Sequence, residues 1–473
     1  MNAGPGQVDR ILDAFTGWFL KNGGALQKVH VALMSEAEGY GIMAVEDLKA
    51  GELILQVPLS ICVHIENLHL SVLHDIVKAE PHLMAFDSKD ELLALLLMAE
   101  RRAGSQSFWW PYLSLMPREY DTPLYWEEEE RKYLAGTNVG LLTSMMEQRI
   151  LRDWHEIHAK LVLKYPSVLG GLTVEDYRWA LSTIWSRAVG VERGDSHSYL
   201  RCLAPALDMC NHSPAAASCL EDLIKYDAQM DALRLKQISP VSRGQECYLL
   251  YGPYSNAKLL YSYGFMSAQN PFRGVDFWVK VPSDFPHAEW KQEQLLAHDL
   301  TKEQPYDFRG TLLGNGVSVA LMVTIRLIHL AQEEFEDVEK VFRGEVVSLR
   351  NEEASLRGLV RLLQKKVQTF TPVEEDLGAL AKLERVMTST PIFGDEDAQI
   401  RRLGVPREKQ AQETECSADE DDKIRFERQK ATLRRNFIRR AYAYKVVVED
   451  KLIFQETLAC LSHRLQELVC GGS

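Results

Sequence analysis

The chain has 473 residues, roughly three typical domains' worth, and its 46% hydrophobic and 26% charged residues argue against both wholesale disorder and membrane embedding. Its 54 basic and 67 acidic residues leave a net charge of −13, which disfavours non-specific nucleic-acid binding and suits basic protein partners. Eight cysteines without a CxxC pair argue against zinc modules and a disulfide framework, so a reducing compartment, cytosol or nucleus, is expected.

Residues 1–30 read as an N-terminal helix in which Asp9, Arg10 and Asp13 interrupt any signal-like apolar run, so neither a secretory signal nor a long transit peptide is expected. Residues 31–59 read as short strands, with a turn at "LKAGE" and Pro58 closing the second run. Residues 68–185 turn helical. In "DELLALLLMAERRAG", Leu92, Leu95, Leu96 and Ala99 share a face at 3.6-residue spacing and Gly104 offers a stop. Strand signals return over 202–281 in "DALRLKQIS", "QECYLLYG" and "RGVDFWVKV", so strands flank the helical block on both sides.

From about residue 295 to 473 the pattern is almost purely helical. The run "VSVALMVTIRLIHLA" is too short for a membrane span and contains Arg326 and His329, which makes it a core helix. Leu433, Phe437, Ala441, Tyr444, Val448 and Leu452 mark one face of a long amphipathic helix, and its basic run "RQKATLRRNFIRR" reads as solvated surface rather than a nucleic-acid patch. The charged stretch 394–423, poor in large apolar residues, is expected to be a mobile loop inside this domain.

The stretch "LAPALDMCNHSP" concentrates reactive side chains. Asp208, Cys210 and His212 would share one side of a strand, but no second cluster completes a metal site. A Cys210/His212 nucleophile pair lacks the geometry for a general base and any elbow motif. Asn211-His212-Ser213 satisfies the glycosylation rule but would need the secretory route. Taken alone, the stretch is best read as a turn whose polar side chains satisfy local backbone.

Other runs change the odds: "EGYGIMA" (38–44), "WSRAV" (185–189) and "CYLLYGPYSNAKLLYSYGFMSAQNP" (247–271), together with "FWWPYLSLMP" (108–117) and "TPVEEDLGAL" (371–380). With the N-H dipeptide they resemble the SET-domain protein methyltransferases, in the branch of the Rubisco large-subunit methyltransferase, over about residues 25–470. The resemblance implies an α+β chain: a β-rich SET core of short strands with a knot-like crossing over 31–281, interrupted by the helical insertion, then an all-α domain over 295–473 that presents a protein substrate.

It also implies S-adenosylmethionine as methyl donor, and the chain has no strand-GxGxxG-helix unit for a dinucleotide. By the same resemblance the main chain of Glu38, Gly39 and Tyr40, the Arg187 guanidinium, the segment Asp208, Met209, Cys210, Asn211 and His212, and Tyr263, Gly264 and Phe265 hold the cofactor. Tyr251 matches the catalytic tyrosine and Tyr263 a second aromatic, at a position where some family members depart from tyrosine. A phenol with pKa of about 10 is a poor base, so orientation is the role expected of Tyr251.

Ala188, Val189 and Leu207 suggest an apolar pocket for an alkyl chain, hence a lysine target, with Tyr254 beside it; missing flanking cysteine clusters favour a non-histone protein. The rivals are a cofactor-binding pseudoenzyme serving as a scaffold, a protein-histidine methyltransferase of the same fold, and a nuclear nucleic-acid binder. No metal, membrane or nucleic-acid partner is expected, and a monomer is.

Overall fold

The computed structural model describes residues 5–35, 38–85, 89–193, 198–216, 224–298, 307–389 and 420–470. They form two compact units: 1–126 with 142–253 and 259–269, and 127–141 with 254–258 and 270–473.

The first unit opens with helix α1 (Pro5–Lys21), whose Phe15 and Phe19 are fully buried and stack 5.7 Å apart. Strands β1 (Ala25–Leu26), β2 (Val29–Ser35), β3 (Gly39–Ala44) and β4 (Leu53–Pro58) follow. In β2 the buried Val29 and Val31 alternate with His30 and Ala32, the period-2 signature of a half-buried strand. Later come β5 (Val189–Arg193), β6 (Ser198–Cys202), β7 (Ile224–Asp227), β8 (Ala232–Lys236) and the two-residue β9 (Glu246–Cys247).

These strands build three small antiparallel sheets in the orders β1-β4-β8-β7, β2-β3-β9 and β5-β6. Beyond β9 the chain makes one parallel contact, His212 against Leu249: Leu249 N donates to Asn211 O (2.8 Å) and Ser213 N to Leu249 O (2.9 Å). The N-H dipeptide is thereby fastened to the segment that carries Tyr251.

Helix α2 (Lys89–Ala103) has Asp90 and Glu91 in its first turn and Arg101 and Arg102 in its last, each complementing the helix dipole, and Gly104 follows at φ +57°. Every residue from 92 to 99 is buried, so this helix is enclosed on all sides, beyond the single face that periodicity implied. Its Glu100, fully buried, accepts hydrogen bonds from three donors: Ser71 Oγ (2.6 Å), Val72 N (2.9 Å) and Ser107 Oγ (2.5 Å). Helix α3 (Val174–Arg187) starts on a capping box formed by Thr173 and Asp176, and ends on Arg187. Helix α4 (Asn256–Tyr263) precedes the Gly264 turn.

The second unit is helical with one two-stranded ladder, β10 (Val275–Lys280) against β11 (Asp307–Leu312). The run "RGVDFWVKV" is therefore a strand of this unit, and its partner is a strand in a region whose pattern read as almost purely helical. A strand needs a partner to bury its backbone groups, and Trp278 pairs with Arg309 across the ladder. Its longer helices include α5 (Ala288–Ala297), α6 (Val319–Ile328), α7 (Leu349–Val367), α8 (Val373–Ser389) and α9 (Glu420–Cys470).

Along α9, Ile438, Ala441, Tyr442, Val446, Val448, Ile453 and Leu461 are buried, whereas Leu433 is exposed and Phe437, Tyr444 and Leu452 are half-buried. Ala441 and Val448 of the expected face are thus buried and its other members are not: apolar residues cover more than one side of α9, and packing against α7 and α8 selects among them. Most of the charged stretch expected to be a loop, 394–419, lies outside the described residues, and 420–423 begin α9. Among the described residues no helix is long and apolar enough to cross a membrane.

Candidate active site

The site in the first unit is assembled from four chain segments. Segment 38–41 is shaped by a turn in which Glu38 N donates to Ser35 Oγ (3.0 Å), and Gly39 takes φ +72° with open space where a Cβ would stand. The positive φ is the reason for glycine there. At Gly41 a Cβ would lie 2.6 Å from Glu246 Oε1 and 2.7 Å from Met34 Cγ, so any larger residue there would push these two side chains aside.

The second segment is the end of α3. Arg187 Nη1 donates to the Asp208 carbonyl (3.0 Å) and lies 3.4 Å from Asp208 Oδ2. The Asp208 side chain is completely buried, and Tyr112 OH, also buried, donates to the same Oδ2 at 2.7 Å. Burial pushes the Asp208 carboxyl up; the Arg187 charge and the Tyr112 hydrogen bond oppose this without cancelling it. Burial likewise works against the charge of Arg187, but the Asp208 carboxylate, followed by the phenols of Tyr120 and Tyr112, outweighs it and holds the guanidinium charged. Burial and the neighbouring Asp208 push the Tyr112 phenol well up, so it stays a donor.

The third segment, 203–213, is not a strand. Leu207–Met209 is a single 3-10 turn entered through Ala206 at φ +68°, ψ −39°, a conformation that L-residues rarely adopt. Met209 and Cys210 turn into the core, and burial, followed by the nearby Cys247, pushes the Cys210 thiol well up, which suits an inert core residue rather than a nucleophile. Asn211 faces the other way: its Nδ2 donates to Glu246 Oε1 (2.7 Å) and lies 3.4 Å from the Tyr40 carbonyl.

The fourth segment carries the aromatics. Tyr251 OH donates to the Cys210 carbonyl (2.9 Å), and Tyr251 N donates to His212 Nδ1 (3.2 Å), which puts the proton of a neutral His212 on Nε2. The Tyr251 ring centre is 4.9 Å from Tyr263, 5.1 Å from His212 and 6.4 Å from Phe265, and Phe265 is 6.2 Å from Tyr263. Tyr251, Tyr263, His212 and Phe265 are all half-buried, forming an aromatic wall with accessible edges. Gly264 serves packing: at φ +80° its missing Cβ would sit 2.8 Å from the backbone carbon of Asp121.

Most residues singled out from the sequence therefore converge, with Glu38–Tyr40, Arg187, Asp208–His212, Tyr251, Tyr263 and Phe265 tied by direct contacts or adjacent backbone. Among the expected pocket residues, Leu207 is wholly buried in the core, while Ala188 and Val189 remain half-buried beside Arg187. Tyr254 belongs to the second unit, where its carbonyl accepts from Asn270 Nδ2 at 2.8 Å. Tyr112 and Glu246 were not singled out. Tyr112 lies in the "FWWPY" run, held there by Trp109, whose Nε1 donates to Ile61 O (3.0 Å), but nothing in the sequence links it to Asp208.

The residues present fit a zwitterionic nucleoside cofactor: a cationic and an anionic group stand together, buried Asp208 Oδ1 and Arg187 Nε have no partner among the described residues, and Gly39 leaves open space.

Residues 282–454 match the family model described as Rubisco LSMT substrate-binding. The actin-histidine N-methyltransferase of Homo sapiens is 28% identical over 325 residues, 68% of this chain and 53% of that protein; the Gallus gallus enzyme is 26% identical over 349 residues, 71% and 57%. The chain thus spans about half the length of these curated relatives. The crystal structure of the SET domain of LSMT bound to lysine and AdoHcy superposes with a TM-score of 0.71 at 19% identity, covering 98% of this chain and 93% of that one. Rubisco LSMT bound to AdoMet gives 0.66 at 18%, covering 97% and 93%. The chain has the fold of the LSMT SET-domain structures, and its residues 282–454 match the Rubisco LSMT substrate-binding model.

Proposed function

We propose that this chain is an S-adenosylmethionine-dependent protein N-methyltransferase whose target is a lysine side chain of a non-histone protein. The observation that carries the reading is the meeting of Arg187, Asp208, Asn211 and the Tyr40 carbonyl with the Tyr251–Tyr263–Phe265 wall, polar groups for a cofactor beside aromatics for a methyl-transfer channel. Arg187, the main chain of 38–40 and the 208–212 segment would hold the cofactor, which supplies an electrophilic methyl group on a cationic sulfur.

The chain's own contribution is orientation and exclusion of water. In-line displacement needs a neutral amine aligned with the methyl carbon, and fixed donors and aromatic walls supply that alignment without a general base. Tyr251, tethered through its hydroxyl to the Cys210 carbonyl, would orient an incoming amine with the remaining lone pairs of that oxygen. The helical unit would dock the substrate protein, and the chain would act as a monomer in the cytoplasm or nucleus. A histidine target is the second reading, supported by the curated relatives, which are actin-histidine enzymes. The half-buried aliphatic Ala188 and Val189 beside Arg187 favour the alkyl chain of lysine.

The test is transfer of labelled methyl from S-adenosylmethionine to proteins of a lysate lacking this enzyme, with wild type, Tyr251→Phe and Asn211→Ala compared and modified residues mapped by mass spectrometry. Label on lysine that both variants lose is expected. Label on histidine overturns the lysine assignment, and tight cofactor binding without labelled protein favours a scaffold.

A further inference from the structure

Glu246 stands outside the motifs that carry the family resemblance, yet its carboxylate reaches the site. It pairs with Met43 across β3 and β9, and its Oε1 accepts from Asn211 Nδ2 at 2.7 Å. The same Nδ2 lies 3.4 Å from the Tyr40 carbonyl, so the nitrogen end of the amide meets two acceptors. Neither acceptor can donate. A flipped Asn211 would set its own oxygen against both, which forbids the flip. The oxygen end of the amide, Oδ1, has no donor among the described residues. Gly41 keeps this arrangement possible, since a Cβ there would come within 2.6 Å of Glu246 Oε1.

We propose, building on the methyltransferase reading, that Glu246 is a positioning residue: it locks the Asn211 amide with Nδ2 inward, so that Oδ1 is presented to the ligand as an acceptor for an ammonium group, the amino-acid end of the nucleoside cofactor. A glutamine at 246 would fill the same space but could donate as well as accept, so the lock would loosen without loss of shape. Glu246 acts through Asn211 and touches no reacting atom.

Calorimetric titration of the whole chain with three nucleosides tests this. S-adenosylmethionine has the ammonium-bearing amino-acid end and the sulfonium, S-adenosylhomocysteine has the amino-acid end without the sulfonium, and 5′-methylthioadenosine has neither. Glu246→Ala is expected to raise Kd for the first two by roughly tenfold or more, the size of a lost hydrogen bond to a charged group, while 5′-methylthioadenosine changes less than about twofold. Glu246→Gln is expected to fall between wild type and Glu246→Ala for the same two ligands.

Three results overturn the proposal: equal weakening of all three ligands, which means a distorted cleft; weakening of S-adenosylmethionine alone, which means a field effect on the sulfonium; and no weakening. Wild type that binds none of the three overturns the methyltransferase reading as well, so the two failures are distinguishable.

Discussion

Replacing Tyr112 by phenylalanine deletes one oxygen from a fully buried site and leaves the ring packing intact. The hydroxyl is the shortest donor to the Asp208 carboxylate, 2.7 Å against 3.4 Å for Arg187 Nη1, and Asp208 Oδ1 has no partner among the described residues to compensate. Losing a buried hydrogen bond to a charged acceptor costs about 1.5–3 kcal/mol. At roughly 2–4 °C per kcal/mol for a unit of this size, Tm should fall by roughly 3–12 °C.

The deficit should depend on pH. Burial already holds the Asp208 carboxyl above its reference of 3.8, and the Tyr112 hydrogen bond pulls the other way, so the variant's carboxyl rises further. A carboxyl raised in the folded state binds protons that the unfolded chain releases, so its contribution to stability is present below the unfolded value and is lost as pH rises. The variant loses more over that rise than wild type, and its deficit should be larger at pH 8 than at pH 5. Calorimetric or fluorescence melts of both proteins at the two values measure this. A Tm unchanged at both pH values, or a deficit larger at pH 5, would refute the electrostatic account of the site.

In the second unit, burial followed by the neighbouring Glu449 pushes the Asp450 carboxyl up to about 7 from a reference of 3.8. With the folded value above the unfolded one, stability falls as pH rises through about 4 to 7. Asp450→Asn should therefore gain on wild type in urea midpoint between pH 5 and pH 8, and parallel pH slopes would count against it. Ala206, buried at φ +68°, carries backbone strain of about 1–3 kcal/mol, which a glycine relieves at about 0.5–1 kcal/mol of chain entropy. Ala206→Gly should melt at or slightly above the wild-type temperature and Ala206→Val well below it; a drop beyond about 3 °C in the glycine variant contradicts the strain.

The early strands, the helix of "DELLALLLMAERRAG" with its Gly104 stop and the apolar core helix α6 were legible in the sequence alone because each depends on residues within a turn or two. The motifs "EGYG", "WSRAV", "DMCNH" and "YGPYSNAKLLYSYGF" marked candidate residues through a family resemblance, because their order along the chain is visible without coordinates. Periodicity was ambiguous where more than one face of α9 is apolar, and it missed β11, whose strand character depends on pairing with β10.

Only the tertiary structure decided which atoms meet. Tyr112 reaches Asp208 across 96 residues, Asn211 reaches Glu246 across 35, and Tyr251 reaches the Cys210 carbonyl across 41. No spacing rule reports such contacts, because they arise when buried segments close on one another and each polar group left in the core must find a partner there.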